Sequence, residues 1–200
     1  MKFFVNFLSV FRIVAAFAMI PAITFQWFWF ALIVFTLAAI SDWFDGFLAR
    51  KYKVCSKLGG VMDHIGDKLL VVNTLFMLSI MLPIWFIVIP VVLMIARELY
   101  ISGLREFLGT QKIEMPVQKA RFSIAKIKTT LQMLTTIIFL ALFALSTLPT
   151  PETMSRTYLI ATNWMSQAGI ITLWVALGLS LFSALQYTFT FARKLKQIKK

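Results

Sequence analysis

Long apolar segments are the feature that most limits how this chain can fold. Of its 200 residues, 60% are hydrophobic, and the mean hydropathy is +0.85. Lipid as the surrounding solvent accounts for so much apolar surface better than the core of a soluble domain does. A transmembrane helix needs roughly 20 mostly apolar residues. Segments that reach or approach this length lie at about 7–24, 27–48, 60–82, 84–107, 124–148 and 167–191. The sequence therefore predicts an all-α integral membrane protein, a single domain over residues 1–200 with six transmembrane helices.

The N-terminal segment is a candidate for one more element. Residues 2–12 combine apolar positions with Lys2 and Arg12, a pattern typical of a short amphipathic helix at the membrane surface. The segment superficially resembles a secretion signal, but Arg12 interrupts the apolar run and further apolar segments follow. We therefore expect it to be an uncleaved first element.

Basic residues alternate with the apolar segments. The net charge is +12, from 20 Lys and Arg against 8 Asp and Glu. Basic clusters occupy 50–57, 105–128 and 193–200, whereas Arg156 stands alone on the opposite side. Because cytoplasmic loops carry an excess of Lys and Arg, this predicts a multi-pass protein of the cell inner membrane with both termini cytoplasmic. The basic charge is then explained by anionic lipid, and no nucleic-acid partner is expected. The tryptophans expected at the outer interface are Trp27, Trp29, Trp85 and Trp164.

Four of the eight acids lie close together at the ends of two apolar segments. They are Asp42, Asp45, Asp63 and Asp67. Residues three or four apart share one face of a helix, so each pair points in one direction. The short basic connection between the second and third segments predicts a hairpin that brings both pairs to a similar depth near the cytoplasm. A charge inside a span costs about 2.5–3.5 kcal/mol, so these acids indicate function.

Four facing carboxylates repel unless their pKa values rise or a cation joins them. Hard oxygen ligands favour Mg²⁺, with Mn²⁺ as an alternative, and two ions about 3.5–4 Å apart would bridge a diphosphate. Small surfaces at Gly46, Ala49 and Gly59 would let a substrate approach, and Arg50 would add positive charge beside the diphosphate. Two alternatives remain open at this point. The acids could line an ion or proton pathway of a transporter, and the glycines could serve helix packing.

Residues 42–67 read D-x2-D-G-x2-A-R-x8-G-x3-D-x3-D. This pattern resembles the signature of the CDP-alcohol phosphatidyltransferase family, and every fixed position of that signature is present. The resemblance implies six transmembrane helices, a homodimer, two divalent metal ions held by the aspartates, a CDP-linked lipid donor and CMP as leaving group.

The resemblance also implies roles for individual residues. Asp42, Asp45 and Asp63 would be metal ligands. Asp67 would be a ligand and also the base that deprotonates the acceptor hydroxyl. The residues implied to contact the cytidine diphosphate part are Gly46, Arg50, Ser56 and, near the N-terminus, Asn6.

Further pieces outside the signature resemble the family members that transfer a phosphatidyl group from CDP-diacylglycerol to sn-glycerol 3-phosphate. They are N-x2-S-x2-R at 6–12, I-A-R-E at 95–98, L-R-E at 104–106, K-I-K-T-T-L-Q at 126–132 and L-Q-Y at 185–187. The sequence departs from those members at His64 and Gly66, where Pro and Ala are more common. Neither departure touches a predicted metal ligand.

Basic residues near the acids support a phosphorylated acceptor. Arg97 and Arg105 are eight residues apart and share a broad helix face, and Lys126 and Lys128 begin the next helix. We predict that these four residues bind the acceptor phosphate. The alternative for Arg97 is an ion pair with Glu98. The alternative for the other three is that they only mark this connection as cytoplasmic and bind no substrate.

Three other functions compete with this hypothesis. The same chemistry could use inositol phosphate, serine or phosphatidylglycerol as acceptor. An intramembrane prenyltransferase also binds a diphosphate through metals and aspartates, but it would carry its acidic motifs on two well-separated helices. A non-enzymatic transporter would move a substrate without releasing CMP.

Overall fold

The computed structural model describes residues 2–52, 57–110, 124–148 and 156–198, and these ranges are helical apart from short turns. Side chains in these ranges are described except at 2–6, 42–52, 57–61, 63–64, 110, 124–126, 157 and 194–198. The helices are α1 (Lys2–Thr24), α2 (Phe28–Tyr52), α3 (Lys57–Met81), α4 (Trp85–Thr110), α5 (Ile124–Ser146) and α6 (Arg156–Ile198). The predicted all-α class is confirmed.

Four helices are long and apolar enough to cross a bilayer, judged on the described residues. These spans are Phe7–Thr24, Trp85–Gly109, Ile127–Ser146 and Tyr158–Arg193. A shorter apolar stretch, Phe28–Ser41, forms the first part of α2. The chain is therefore a multi-pass membrane protein, whereas full spans in α2 and α3 stay a prediction.

Helices α1 and α6 extend furthest beyond the predicted segments. Residues 2–12 do not form a separate interfacial helix, because α1 runs without interruption from Lys2. The predicted start of the last segment near 167 was wrong, because α6 begins at Arg156 and continues for 43 residues. Residues 156–166 mix polar side chains with Leu159, Ile160 and Trp164 and contain neither Pro nor Gly, so nothing in them breaks a helix. At 1.5 Å per residue α6 measures about 65 Å, twice the thickness of a bilayer's hydrocarbon core.

The helices form one bundle with an apolar interior. Helix α1 packs against α2 and α3, α5 packs against α2, α3 and α6, and α4 packs against α3 and α6. Small residues such as Ala16, Ala31 and Ala38 are fully buried. Small side chains let helices approach closely, which matters in lipid because apolar burial drives helix association little there. Large apolar side chains such as Phe17 and Phe189 are exposed, as lipid-facing positions require.

Consecutive helices run in opposite directions. Several aromatic side chains therefore lie together at one end of the bundle. Phe28 at the start of α2 stacks on Phe143 near the end of α5, with ring centroids 4.8 Å apart. Trp174 of α6 donates its Nε1–H to the carbonyl oxygen of Phe86 at the start of α4, at 3.1 Å. Trp27 and Trp85 lie at the turns of this end and are exposed. The structure thus places these predicted interface tryptophans at one end of the bundle, away from the charged contacts described below.

A left-handed residue closes the turn between α1 and α2. Gln26 has φ 61°, in the region that glycine adopts without steric cost. The N–H of Trp27 donates to the carbonyl oxygen of Ala22 at 2.7 Å, and the N–H of Gln26 donates to that of Ile23 at 3.0 Å. This pair of bonds is a Schellman motif, in which glycine usually occupies the position of Gln26.

Gln26→Gly is therefore expected to raise the free energy of unfolding by about 0.5–1 kcal/mol, because it removes the strain of a side chain at positive φ. The measurement is the melting temperature in detergent, followed by tryptophan fluorescence. The control is Ala18→Gly in the middle of α1, which should lower stability by about 1 kcal/mol. A loss of stability in both variants would show that the turn does not favour glycine.

Candidate active site

The four predicted metal-binding aspartates lie on two helices joined by a short connection. Asp42 and Asp45 are in the last three turns of α2, and Asp63 and Asp67 are in the first three turns of α3. Because both segments are helical, each pair shares a helix face as predicted. Only residues 53–56 separate Tyr52 from Lys57, so these helix ends lie at most about 19 Å apart. Both helices also pack on α1 and α5.

Much of the predicted donor site lies outside the described side chains. This applies to the metal ligands Asp42, Asp45 and Asp63 and to the residues predicted around the cytidine diphosphate, namely Asn6, Gly46, Ala49, Arg50, Ser56 and Gly59. Their predicted contacts stay predictions. The fourth acid, Asp67, is described in full.

The carboxylate of Asp67 is held by Arg12 of α1. Arg12 donates from Nη1 to Oδ1 of Asp67. The side chain of Arg12 is fully buried, whereas that of Asp67 is 22% exposed. A buried cation inside an apolar bundle costs several kcal/mol unless it is paired. Asp67 is therefore a counter-ion for Arg12, in addition to its predicted chemistry.

This ion pair depends on the close approach of α1 and α3 at Gly66. A Cβ atom at position 66 would lie 3.3 Å from Cβ of Arg12 and 3.4 Å from the carbonyl oxygen of Ser9. About two turns further on, Nδ2 of Asn73 donates to the carbonyl oxygen of Ala16 at 3.3 Å. The two helices run parallel, and Arg12 lies level with Asp67.

A second group of charges surrounds Glu98 of α4, and we call it the Glu98 cluster: Lys68, Arg97, Glu98 and Lys128. Lys128 of α5 donates from Nζ to Oε1 of Glu98. Nη1 of Arg97 lies 2.8 Å from the same oxygen, and Nζ of Lys68 lies 3.6 Å from Oε2. The side chains of Arg97 and Lys128 are buried, and those of Glu98 and Lys68 are 14% and 26% exposed. Three cations face one carboxylate, so the cluster carries an excess of positive charge.

Arg97 is also anchored to α6. Its Nε donates to the carbonyl oxygen of Ser180 at 3.0 Å, and its Nη2 donates to Oγ of Ser183 at 3.1 Å. The ion pair with Glu98, considered as the alternative role of Arg97, is present. A contact between Arg97 and an acceptor phosphate stays a prediction.

Arg105 lies two turns beyond Glu98 and contacts α6 through an aromatic ring. Its guanidinium carbon is 5.4 Å from the ring centroid of Tyr187, a cation–π contact. Arg97 and Arg105 thus share the side of α4 that faces α6, in agreement with their predicted common face. The structure brings Arg97 and Lys128 together at Glu98. The side chain of Lys126 lies outside the described residues.

The two groups of charges meet on α3. Asp67 contacts Arg12 of α1, and the next residue, Lys68, contacts Glu98 of α4. Sequence reasoning considered Glu98 only as a partner of Arg97, and it predicted neither the contact of Arg12 with Asp67 nor any role for Lys68. A signal was nevertheless present, since a charge within an apolar segment is costly and needs a partner or a function.

The residues at this end of the bundle fit divalent cations chemically. Aspartate carboxylates are the hard oxygen donors that Mg²⁺ and Mn²⁺ prefer. Asp67, the one of the four with a described side chain, is partly exposed and so can be reached by a ligand. Which metal binds, and how many ions, belongs to the proposal below.

Comparison with known proteins gives the family. The family model for CDP-alcohol phosphatidyltransferases matches residues 3–182. The CDP-diacylglycerol–glycerol-3-phosphate 3-phosphatidyltransferase of Blochmanniella floridana is 30% identical over 200 residues, covering 96% of this chain and 93% of the relative. The protein of the same name from Pectobacterium atrosepticum is 34% identical over 183 residues, 90% of each chain. That from Cereibacter sphaeroides is 44% identical over 137 residues, 64% of this chain and 58% of the relative. With the signature at 42–67, which runs from the end of α2 to the start of α3, the chain belongs to the CDP-alcohol phosphatidyltransferase family.

Proposed function

We propose that this protein transfers the phosphatidyl group of CDP-diacylglycerol to sn-glycerol 3-phosphate, giving phosphatidylglycerophosphate and CMP. Relatives that align over at least nine-tenths of the chain carry the name of this activity. The structural observation behind the proposal is the adjacency of Asp67 and Lys68. It puts a carboxylate of the family signature beside a cluster with excess positive charge. A phosphorylated alcohol needs both, one for its hydroxyl and one for its phosphate.

The donor is proposed to bind at the acidic ends of α2 and α3. Asp42, Asp45, Asp63 and Asp67 would hold two divalent cations, Mg²⁺ or Mn²⁺, which neutralise the diphosphate and the departing CMP. The cytidine diphosphate part would contact Asn6, Gly46, Ala49, Arg50, Ser56 and Gly59. The acyl chains would stay in the surrounding lipid, because the outer surface of the described helices is apolar.

Asp67 is proposed to act as general base. It accepts the proton of the acceptor's 1-hydroxyl. The hydroxyl oxygen then bonds to the β-phosphorus of the donor while the bond from that phosphorus to the CMP oxygen breaks, with the two oxygens in line. Arg12 keeps hold of Oδ1 of Asp67 and so limits the orientations of the carboxylate. The base is thereby fixed before the acceptor arrives.

The acceptor phosphate is proposed to bind among Arg97, Arg105, Lys126 and Lys128. Lys128 and Arg97 already converge on Glu98, and Arg105 lies further along the same side of α4 as Arg97. Excess positive charge favours a phosphorylated alcohol over serine, which is zwitterionic. This supports glycerol 3-phosphate, the acceptor in the names of the relatives.

The setting proposed for this reaction is the cell inner membrane. Six spans with both termini cytoplasmic would put the charged end of the bundle at the cytoplasmic surface, where the water-soluble acceptor and CMP are found. A homodimer is proposed from the family resemblance. The basic C-terminus of α6 agrees with this orientation.

The acceptor assay tests the proposed function. Purified protein in detergent, with CDP-diacylglycerol and Mg²⁺, should release CMP when glycerol 3-phosphate is added. Asp67→Asn should lower the rate by about 10²–10⁴-fold, the usual contribution of a general base. The control is Glu106→Gln, an exposed acid near the end of α4. Stimulation by inositol phosphate, serine or phosphatidylglycerol instead would reassign the acceptor, and no CMP release with any of them would refute the enzyme.

Burial predicts an asymmetry in the Arg12–Asp67 pair. Asp67→Asn removes the described counter-ion of a fully buried cation and should cost about 3 kcal/mol or more of stability. Arg12→Met leaves a partly exposed carboxylate, which water can reach, and should cost less. The double variant should therefore be more stable than Asp67→Asn alone.

Melting temperatures of the three variants measure this coupling. Arg156→Met is the control, because Arg156 is an exposed cation at the start of α6 and its loss should change stability by less than about 0.5 kcal/mol. Strictly additive losses in the double variant would mean that the two side chains do not interact in the folded protein.

A further inference from the structure

We propose that Glu98 competes with the acceptor phosphate for the surrounding Lys and Arg side chains and so limits the positive charge available to that phosphate. We also propose that Lys68 is a further ligand of the phosphate. This deepens the proposed function, on which it rests, because it concerns the same acceptor. Neither residue belongs to the signature at 42–67. Both are defined by contacts among α3, α4 and α5.

The first observation is an imbalance of buried charge. Among the described side chains, the Glu98 cluster has three cations from three helices and one carboxylate, and these side chains are between 7% and 26% exposed. Buried charges are normally paired, because an uncompensated one is costly. A purely structural network would be expected to balance its charges. The excess of two positive charges matches the charge of about −2 that a phosphate monoester carries near neutral pH.

The second observation is that the cations differ in how many of their hydrogen-bond donors are already engaged. Arg97 has Nε, Nη1 and Nη2 engaged by Ser180, Glu98 and Ser183, so it anchors the cluster to α6. Lys68 is the most exposed member. Its Nζ donates to Oγ of Ser102 at 2.8 Å and lies 3.6 Å from Glu98, beyond hydrogen-bond distance. An ammonium group has three donors, so Lys68 can bind a phosphate oxygen while it keeps its bond to Ser102.

The third observation is the position of Lys68 next to the proposed base. The Cα atoms of Asp67 and Lys68 are about 3.8 Å apart, as consecutive residues must be. Their side chains diverge, one to α1 and the other to α4. In the proposed arrangement, the hydroxyl of a phosphorylated alcohol lies at Asp67 on the α1 side of α3, and its phosphate lies at Lys68 on the α4 side. The choice of acceptor would follow from this spacing together with the charge of the cluster.

Glu98 then has a role before the phosphate binds. Without a substrate, its carboxylate holds Lys68 and Lys128 together despite their mutual repulsion. When phosphate arrives, Lys128 exchanges a carboxylate oxygen of Glu98 for a phosphate oxygen, and Lys68 adds a bond to the phosphate while it keeps its bond to Ser102. Glu98 is thus a positioning residue and a competitor of the phosphate.

The test measures phosphate binding without turnover. The probe is inorganic phosphate, with EDTA present to remove metal ions, no donor lipid, and ionic strength held constant with sodium chloride. The readout is the melting temperature of the detergent-purified protein against phosphate concentration, which gives an apparent dissociation constant. Wild type, Glu98→Gln, Lys68→Met and Glu106→Gln are compared.

The two variants in the cluster should move phosphate affinity in opposite directions. Glu98→Gln removes the competitor and adds to the charge excess, so phosphate should bind about tenfold more tightly, although the phosphate-free protein melts lower. Lys68→Met removes a ligand and reduces the excess, so phosphate should bind about tenfold more weakly, without a lower melting temperature in the absence of phosphate. Glu106→Gln makes the same charge change on an exposed part of α4 and should behave as wild type.

Several outcomes would overturn the proposal. For the variants of the cluster, these are an unchanged or weaker phosphate affinity in Glu98→Gln and an unchanged phosphate affinity in Lys68→Met. For the controls, they are an effect of Glu106→Gln equal to that of Glu98→Gln and a wild-type melting temperature that does not respond to phosphate. If Glu98→Gln is not recovered folded, the comparison of Lys68→Met with wild type decides. If the phosphate-binding results are as expected but the enzyme uses another phosphorylated alcohol, the inference stands and only the proposed acceptor is refuted. If the enzyme is active with glycerol 3-phosphate but the phosphate-binding results are not as expected, the proposed function stands and the inference is refuted.

Discussion

Charges that this bundle buries have to be paired inside it, because lipid offers neither water nor counter-ions. Arg12 meets this constraint through Asp67, and Glu98 meets it together with Lys68, Arg97 and Lys128. These contacts tie α1 to α3, and α3 to α4 and α5, at one end of the bundle. The opposite end is held by aromatic stacking and tight turns. The polar end can therefore provide a site for charged substrates while the rest of the surface stays apolar.

The helices could be predicted from hydropathy because each apolar segment is long and most are bounded by charged residues or a turn. The prediction failed where polarity was taken to end a helix. Residues 156–166 include several polar side chains but also apolar ones, and they contain no Pro or Gly, so α6 starts at Arg156 and not near 167. Likewise, the charges of residues 2–12 did not separate them from the first span. The polarity of a segment indicates whether lipid or water surrounds it. Where a helix ends depends instead on residues such as Pro and Gly, which change the backbone.

The candidate site was predictable only in part. The spacing of Asp63 and Asp67 predicted a shared helix face, and α3 is helical over both residues. The partners of the charged residues were not predictable, because Arg12 meets Asp67 across 55 residues of sequence and Lys128 meets Glu98 across 30. Such pairings follow from helix packing, here from the close approach of α1 at Gly66. The metal ligands Asp42, Asp45 and Asp63 rest on the family signature, since their side chains are outside the described residues.

The central claim is that the acidic ends of α2 and α3 together hold two divalent cations beside Asp67. Electron paramagnetic resonance of protein titrated with Mn²⁺ tests it most directly. The account predicts two bound ions per chain, magnetically coupled because two ions held by these carboxylates would lie about 3.5–4 Å apart. It also predicts that Asp45→Asn on α2 and Asp63→Asn on α3 each abolish the coupled signal. A coupled pair that survives either substitution, or Mn²⁺ that binds only as isolated ions, would contradict it.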